Sequence, residues 1–301
     1  MYNWDRLRFL AILDIVGLHV NGQYALGGIG LPLFTIISMC LTVKTGGKYD
    51  MTTFIKKRGF RLMVPWLFWS LLYAVLKSGY SAYSGEPVLA WCKWNMIVAG
   101  TISHLWFLPF ISVAGVATLY SHKITEKLPV LPLVVVTFLL GNTSMILVAH
   151  SNLEYPFYQW LFCTPAVFLG FSLGMLLIRA MPPKSNVLTL TLYAVSQTAV
   201  AILLYYVSPQ CALVLKQNLI ALLLILIALI IPNKNDFTIN IIKRNIYGVY
   251  IVHGFLFLAL LKPLYHHIQF MPNQWLNVTI IFAVTLTVVV GLRRTFIRHF
   301  L

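Results

Sequence analysis

Apolar runs of about twenty residues, broken by short basic or Gly- and Pro-bearing stretches, recur along the whole chain. The polar positions fall between the runs rather than along one face of them, unlike the pattern of a soluble amphipathic helix. A run of that length matches the hydrocarbon thickness of a bilayer, where every backbone polar group needs a partner within its own structure. The pattern predicts ten spans, near 6–20, 24–43, 62–80, 104–121, 128–148, 158–178, 187–207, 211–231, 246–265 and 275–292. Alternation at period two is absent, which argues against a barrel. The expected fold is therefore all-α, a polytopic membrane bundle of about ten helices. The longest segments between runs, roughly 44–61, 81–103 and 232–245, leave chemistry in or against the bundle itself. The 81–103 stretch carries Tyr83, Trp91 and Trp94, and reads as an interfacial amphipathic helix or as a lid over a binding site.

Composition sharpens this picture. Hydrophobic residues make up 59% of the 301 and charged residues 10%, with a mean hydropathy of +0.83, outside the range of soluble domains. The net charge of +15 raises the question of nucleic acid. With the N-terminus inside and ten spans, only Lys77, Lys93, Lys216 and Lys262 of the 22 lysines and arginines fall on the outer side. That split is the positive-inside pattern of a multi-pass membrane protein, so both termini are expected in the cytoplasm and no nucleic-acid partner is expected. The first run carries Asp14 and His19 and has no Ala-x-Ala exit, so a retained N-terminus is expected. Cys40, Cys92, Cys163 and Cys211 have no metal-ligand spacing and read as packing residues, and no metal is expected.

The first span is the least apolar, and its polar residues are patterned. Arg8 and His19 lie eleven residues apart, roughly three helical turns, so they share a face to within about 20° and about 16 Å of rise. Ionisable groups within a membrane usually face a polar cavity or a partner. The bland alternative for His19 is a core histidine bonded to a backbone carbonyl. A neutral imidazole can take and return a hydroxyl proton, or carry an acyl group as a nucleophile. Asp14 lies about 140° around the helix from His19 and is expected to meet another helix, whereas Asp5 is placed to orient Arg8.

Three further groups stand out. Lys56-Lys57-Arg58-Gly59-Phe60-Arg61 leads into the third span, with Arg58 and Arg61 on one side. At a helix N-terminus this suits a multiply phosphorylated ligand, though ordinary cytoplasmic charge or contact with anionic lipid gives the same pattern. His104-Leu105-Trp106-Phe107-Leu108 opens the fourth span as an aromatic belt or as a site. Tyr250 and His253 share a face of the ninth span, which favours a polar cavity.

Together these residues resemble the acyltransferase family 3 integral membrane proteins. Asp5, Arg8 and His19 look like that family's first-helix motif, and Gly30 to Ser38 is similar to its second-helix stretch. Phe54 to Pro65, with Arg58 and Arg61, resembles the approach to its third helix. Leu105-Trp106-Phe107-Leu108 and Tyr250-Ile251-Val252-His253 match two further signatures. Met39 departs from the glycine usual after the serine. The resemblance implies a single membrane-embedded acyltransferase domain over 1–301, without an appended soluble domain, multi-pass in the cell membrane. It implies an O-acyltransferase, acetyl above all, that carries the group from cytoplasmic acetyl-CoA to a hydroxyl of an extracytoplasmic polysaccharide or glycolipid sugar. His19 and Arg8 would then be catalytic, and Arg8, Arg58 and Arg61 would hold the donor phosphates. Asp14, Ser38, His104, Trp106, Tyr250 and His253 would line the path. The alternative from another class is a proton-coupled transporter or lipid-linked glycan flippase.

Overall fold

The computed structural model describes residues 4–21, 25–179, 191, 195–196, 198–200, 208–231, 237–256 and 274–301. These are helical and contain no strand. In chain order the helices are α1 Trp4–Asn21, α2 Gly30–Thr45, α3 Met51–Tyr83, the single turn α4 Met96–Ala99, α5 Phe107–Thr125, α6 Val130–His150, α7 Phe157–Arg179, α8 Pro209–Ile230, α9 Phe237–Leu256 and α10 Gln274–Leu292. A short 3-10 segment, Phe296–Phe300, follows. The predicted span 187–207 lies largely outside the described residues, as does the end of 246–265.

Six of the described helices are long and apolar enough to cross a membrane: α2 with the turn after it, α3, α6, α7, α8 and α10. The chain is thus a multi-pass membrane protein. Its lipid-facing surface is visible in the exposed side chains, such as Leu67, Leu71 and Val75 on α3 and Leu131, Val135 and Leu139 on α6. Helix α1 has too many charged residues to qualify, yet it packs against α2, α8, α9 and α10. It faces protein on several sides, which supply Asp5 and Asp14 with partners that lipid would not.

Helix α2 is the hub of the second half of the core. Gly170 and Gly174, four apart on α7, let α2 approach closely: a Cβ on Gly170 would meet the Ile36 carbonyl at 2.6 Å and Met39 at 2.7 Å. Met39, which replaces the usual glycine, is fully buried and faces Gly170, so the small residue stands on the partner helix instead. Thr118 on α5 donates its hydroxyl to the Met39 sulfur at 3.0 Å.

Asp14 builds the connection from α1 to α2. Ile29, the residue before α2, gives no side-chain cap. The Asp14 carboxylate supplies one from α1, accepting from the backbone N–H of Leu26 at 2.6 Å, Gly30 at 2.8 Å and Gly28 at 3.4 Å. Gly27 and Gly28 both have positive φ, 79° and 85°, which folds the chain back under that carboxylate. Gln217, buried on α8, donates its amide to the Gly27 carbonyl at 3.0 Å. It lies eight residues beyond Pro209, so the connection is held about 12 Å along α8 rather than at its tip. Asp14 is therefore a fold anchor, and it lines none of the cavities described below. The expected meeting with another helix is what makes it one.

Two other expectations change. Helix α3 starts at Met51, capped by Asp50, whose carboxylate accepts from the Thr53 N–H at 2.9 Å. Arg58 and Arg61 are thus two turns or more inside the helix, and its N-terminal dipole does not act on them. Segment 81–103 is not an amphipathic helix: α3 runs through Tyr83, and turns follow up to the single turn of α4.

A histidine chamber behind a basic vestibule

Three histidines from three separate stretches of sequence meet. The ring centroids of His19 on α1, His104 before α5 and His253 on α9 are 5.8 Å, 5.1 Å and 5.0 Å apart for the pairs 19–104, 19–253 and 104–253. Two of them are tied down. His253 Nδ1 faces the carbonyls of Tyr250 at 2.7 Å and Val249 at 3.2 Å. A carbonyl only accepts, so Nδ1 carries the proton and Nε2 is a bare lone pair. That Nε2 is buried without a partner among the described residues. His104 Nε2 donates in the same way to the Ile251 carbonyl at 3.2 Å. Gly254 makes room for this ring, since any Cβ there would strike the His104 imidazole. The carbonyl-bonded core histidine expected as the bland alternative for His19 therefore describes His104 and His253. His19 has no hydrogen bond among the described residues, and its ring is open to a cavity.

That cavity, about 380 Å³, is lined by His19, His104, Trp106, Gln159 and Tyr250 among others. Tyr250 also lines a second cavity of about 490 Å³, where Arg8, Arg61, Lys243 and Arg293 gather. A third, about 500 Å³, shares Arg8, Ser38 and Arg61 with the second and adds Lys57 and Arg58. The basic residues thus form one vestibule, and the histidine chamber lies behind it across the Tyr250 ring. The Tyr250 hydroxyl donates to the His104 carbonyl, and Phe107 packs against the ring at 6.0 Å between centroids.

The vestibule arginines differ in freedom. Arg58 donates to Thr42 Oγ1 at 3.4 Å, Ser38 Oγ at 3.2 Å and the Ile111 carbonyl at 2.6 Å. Its Nε–H has no partner among the described residues. Gly115 admits the guanidinium, which would collide with any Cβ at that position. Arg8 pairs with Asp5 at 3.2 Å, as the spacing predicts, and Asp5 also holds Lys243 at 2.9 Å. Arg61 is exposed and has no side-chain partner among the described residues. Its backbone carbonyl, deprived of a donor by Pro65 four residues on, accepts the Tyr247 hydroxyl at 3.3 Å.

Of the residues singled out in the sequence, Arg8, Arg58, Arg61 and Ser38 meet at the vestibule, and His19, His104, Trp106 and Tyr250 at the chamber, with His253 fully buried against the rings of His19 and His104. Lys243, Arg293 and His299 in the vestibule were missed, because their charge was indistinguishable from the topological excess. Gln159, Tyr155, Tyr158 and Ser103 in the chamber were missed as well. A glutamine three residues into an apolar helix was the one signal available for them. Among the described residues no group of His, Cys, Asp and Glu has metal-ligating geometry.

Apolar helices enclosing a polar chamber of buried imidazoles, with a basic cavity beside it, define a membrane-embedded protein with an internal polar site. Residues 1–294 match the acyltransferase domain, and the chain belongs to acyltransferase family 3. No curated protein and no solved structure matches it. Membership supports acyl transfer over proton-coupled transport.

Proposed function

We propose that this acyltransferase is an O-acetyltransferase that takes acetyl from cytoplasmic acetyl-CoA and delivers it to a hydroxyl of an extracytoplasmic glycan, through about ten spans with both termini in the cytoplasm of the cell membrane. The observation that carries the reading is the wall shared at Tyr250 between a cationic vestibule and an uncharged histidine chamber. The phosphates of coenzyme A suit the vestibule, where Arg61 is free and Arg8 and Arg58 are held by Asp5 and by the hydroxyls of α2. His19 and Arg8, about 16 Å apart along α1, then stand at the two ends of the donor's reach.

In the chamber His19 accepts the proton of the acceptor hydroxyl while that oxygen bonds the acetyl carbon. It returns the proton to the sulfur as the carbon–sulfur bond breaks, so imidazole ends the cycle neutral. Its neighbours are less accessible to a hydroxyl, because His104 and His253 are buried whereas His19 is only half-buried. They instead fix the floor on which the His19 ring lies.

The test compares glycan acetyl content, by mass spectrometry and NMR, in cells with and without the protein, together with coenzyme A release by purified protein given acetyl-CoA and that glycan. Acetyl that depends on the protein, with stoichiometric coenzyme A, is expected. Equal acetyl content in both cells, or no coenzyme A release, overturns the reading.

A further inference from the structure

We infer that the histidine chamber is a subsite for an uncharged sugar unit, recognised by the Gln159 amide and the rings of Trp106 and Tyr158; this rests on the glycan acetylation proposed above. The two sides of Tyr250 differ sharply in charge. The vestibule is lined by Arg8, Arg58, Arg61, Lys57, Lys243 and Arg293, whereas none of the described residues lining the chamber is Asp, Glu, Lys or Arg. A sugar bearing a carboxylate or phosphate would lose water there and find no cation among the described lining residues to replace it. A neutral sugar needs only hydrogen-bond partners for its hydroxyls and apolar surface for its C–H faces.

The wall supplies both. Gln159, the third residue of α7, lines the chamber, and its Oε1 is buried without a hydrogen-bond partner among the described residues. An orphaned acceptor in an apolar helix is costly, and a hydroxyl donor relieves it. Tyr155 donates its hydroxyl to the Ser103 carbonyl at 3.1 Å, which leaves its oxygen able to accept. The Asn95 side chain bonds the Tyr155 carbonyl at 3.0 Å, so this part of the wall is braced from the 81–103 side. Trp106 and Tyr158 give flat amphipathic faces beside His19, where a bound hydroxyl meets the imidazole.

The experiment maps the acetyl group on the glycan of cells that make the parent protein, and repeats the measurement with Gln159→Met, which keeps the side-chain length and removes the amide. Acetyl on a sugar unit without carboxylate or phosphate is expected from NMR. Gln159→Met is expected to lower acetyl content at least tenfold while acetyl-CoA affinity stays within about twofold of the parent. Acetyl on a uronic, sialic or phosphorylated unit overturns the inference, and so does parent-level acetylation by Gln159→Met. Should that variant lose acetyl-CoA binding and so report only on folding, the mapped position in the parent decides alone. A parent that adds no acetyl to any glycan instead removes the reading on which the inference rests.

Discussion

At the scale of the residue, His19 differs from its two neighbours by what it lacks: a carbonyl to hold it. His19→Gln keeps a hydrogen-bond donor and loses the proton shuttle, so transfer is expected to fall to background while insertion and acetyl-CoA binding persist. An inserted His19→Gln protein with near-parent glycan acetylation would refute the assignment and point to His253. The arginines separate in a second prediction. Arg61→Ala should cost about 1–3 kcal/mol of charge-assisted bonding to phosphate, a roughly ten- to hundredfold weaker acetyl-CoA affinity, with the melting temperature unchanged. Arg58→Ala should weaken binding comparably and also lower the melting temperature, because it cuts ties to α2 and α5. Binding and thermal unfolding measured on the same detergent-purified samples check both. Arg8, His19, Arg58 and Arg61 were legible in the sequence because their spacing is local to one helix. The meeting of His19 with His104 and His253 was not, since it joins residues more than 80 and more than 230 positions apart.

At the scale of the element, the α1–α2 connection depends on one carboxylate. Asp14→Ala leaves buried N–H groups of Leu26 and Gly30 without an acceptor, at about 1–3 kcal/mol each. The expected result is a lower melting temperature in micelles, with Asp14→Asn, which retains one acceptor oxygen, in between. Parent-like unfolding of Asp14→Ala combined with lost acetylation would return Asp14 to the site. The sequence showed that Asp14 points away from His19, but an acceptor for three backbone donors in a glycine turn has no periodic signature. The start of α3 was misplaced for a related reason. Hydropathy begins at Leu62, whereas the helix begins where Asp50 caps it, and a polar first turn does not register as membrane.

At the scale of the whole molecule, the vestibule gathers basic residues from α1, α3, α9 and the segment after α10. Topology reporters inserted at 46–50 are expected to read cytoplasmic, and those at 151–155 external; a cytoplasmic reading at 151–155 would break the ten-span arrangement. The class of fold was legible because lipid demands long apolar runs throughout. The count of spans was less so, because α1, at the centre of the bundle, is the helix that polar function makes least apolar.

The vestibule and the chamber share the Tyr250 ring as a common wall. Between them stands one phenol, held by its hydroxyl to the His104 carbonyl and backed by Phe107. An enzyme of this shape carries the hazard of a pore: water-filled space on both sides of a thin partition invites protons to cross and collapse the gradient the cell maintains. Tyr250, which lines both cavities, is therefore expected to act as a permeability barrier. In sealed proteoliposomes with an imposed pH difference, Tyr250→Ala should dissipate that difference faster than the parent, in the absence of any acyl donor, whereas Tyr250→Phe, which keeps the ring, should hold it.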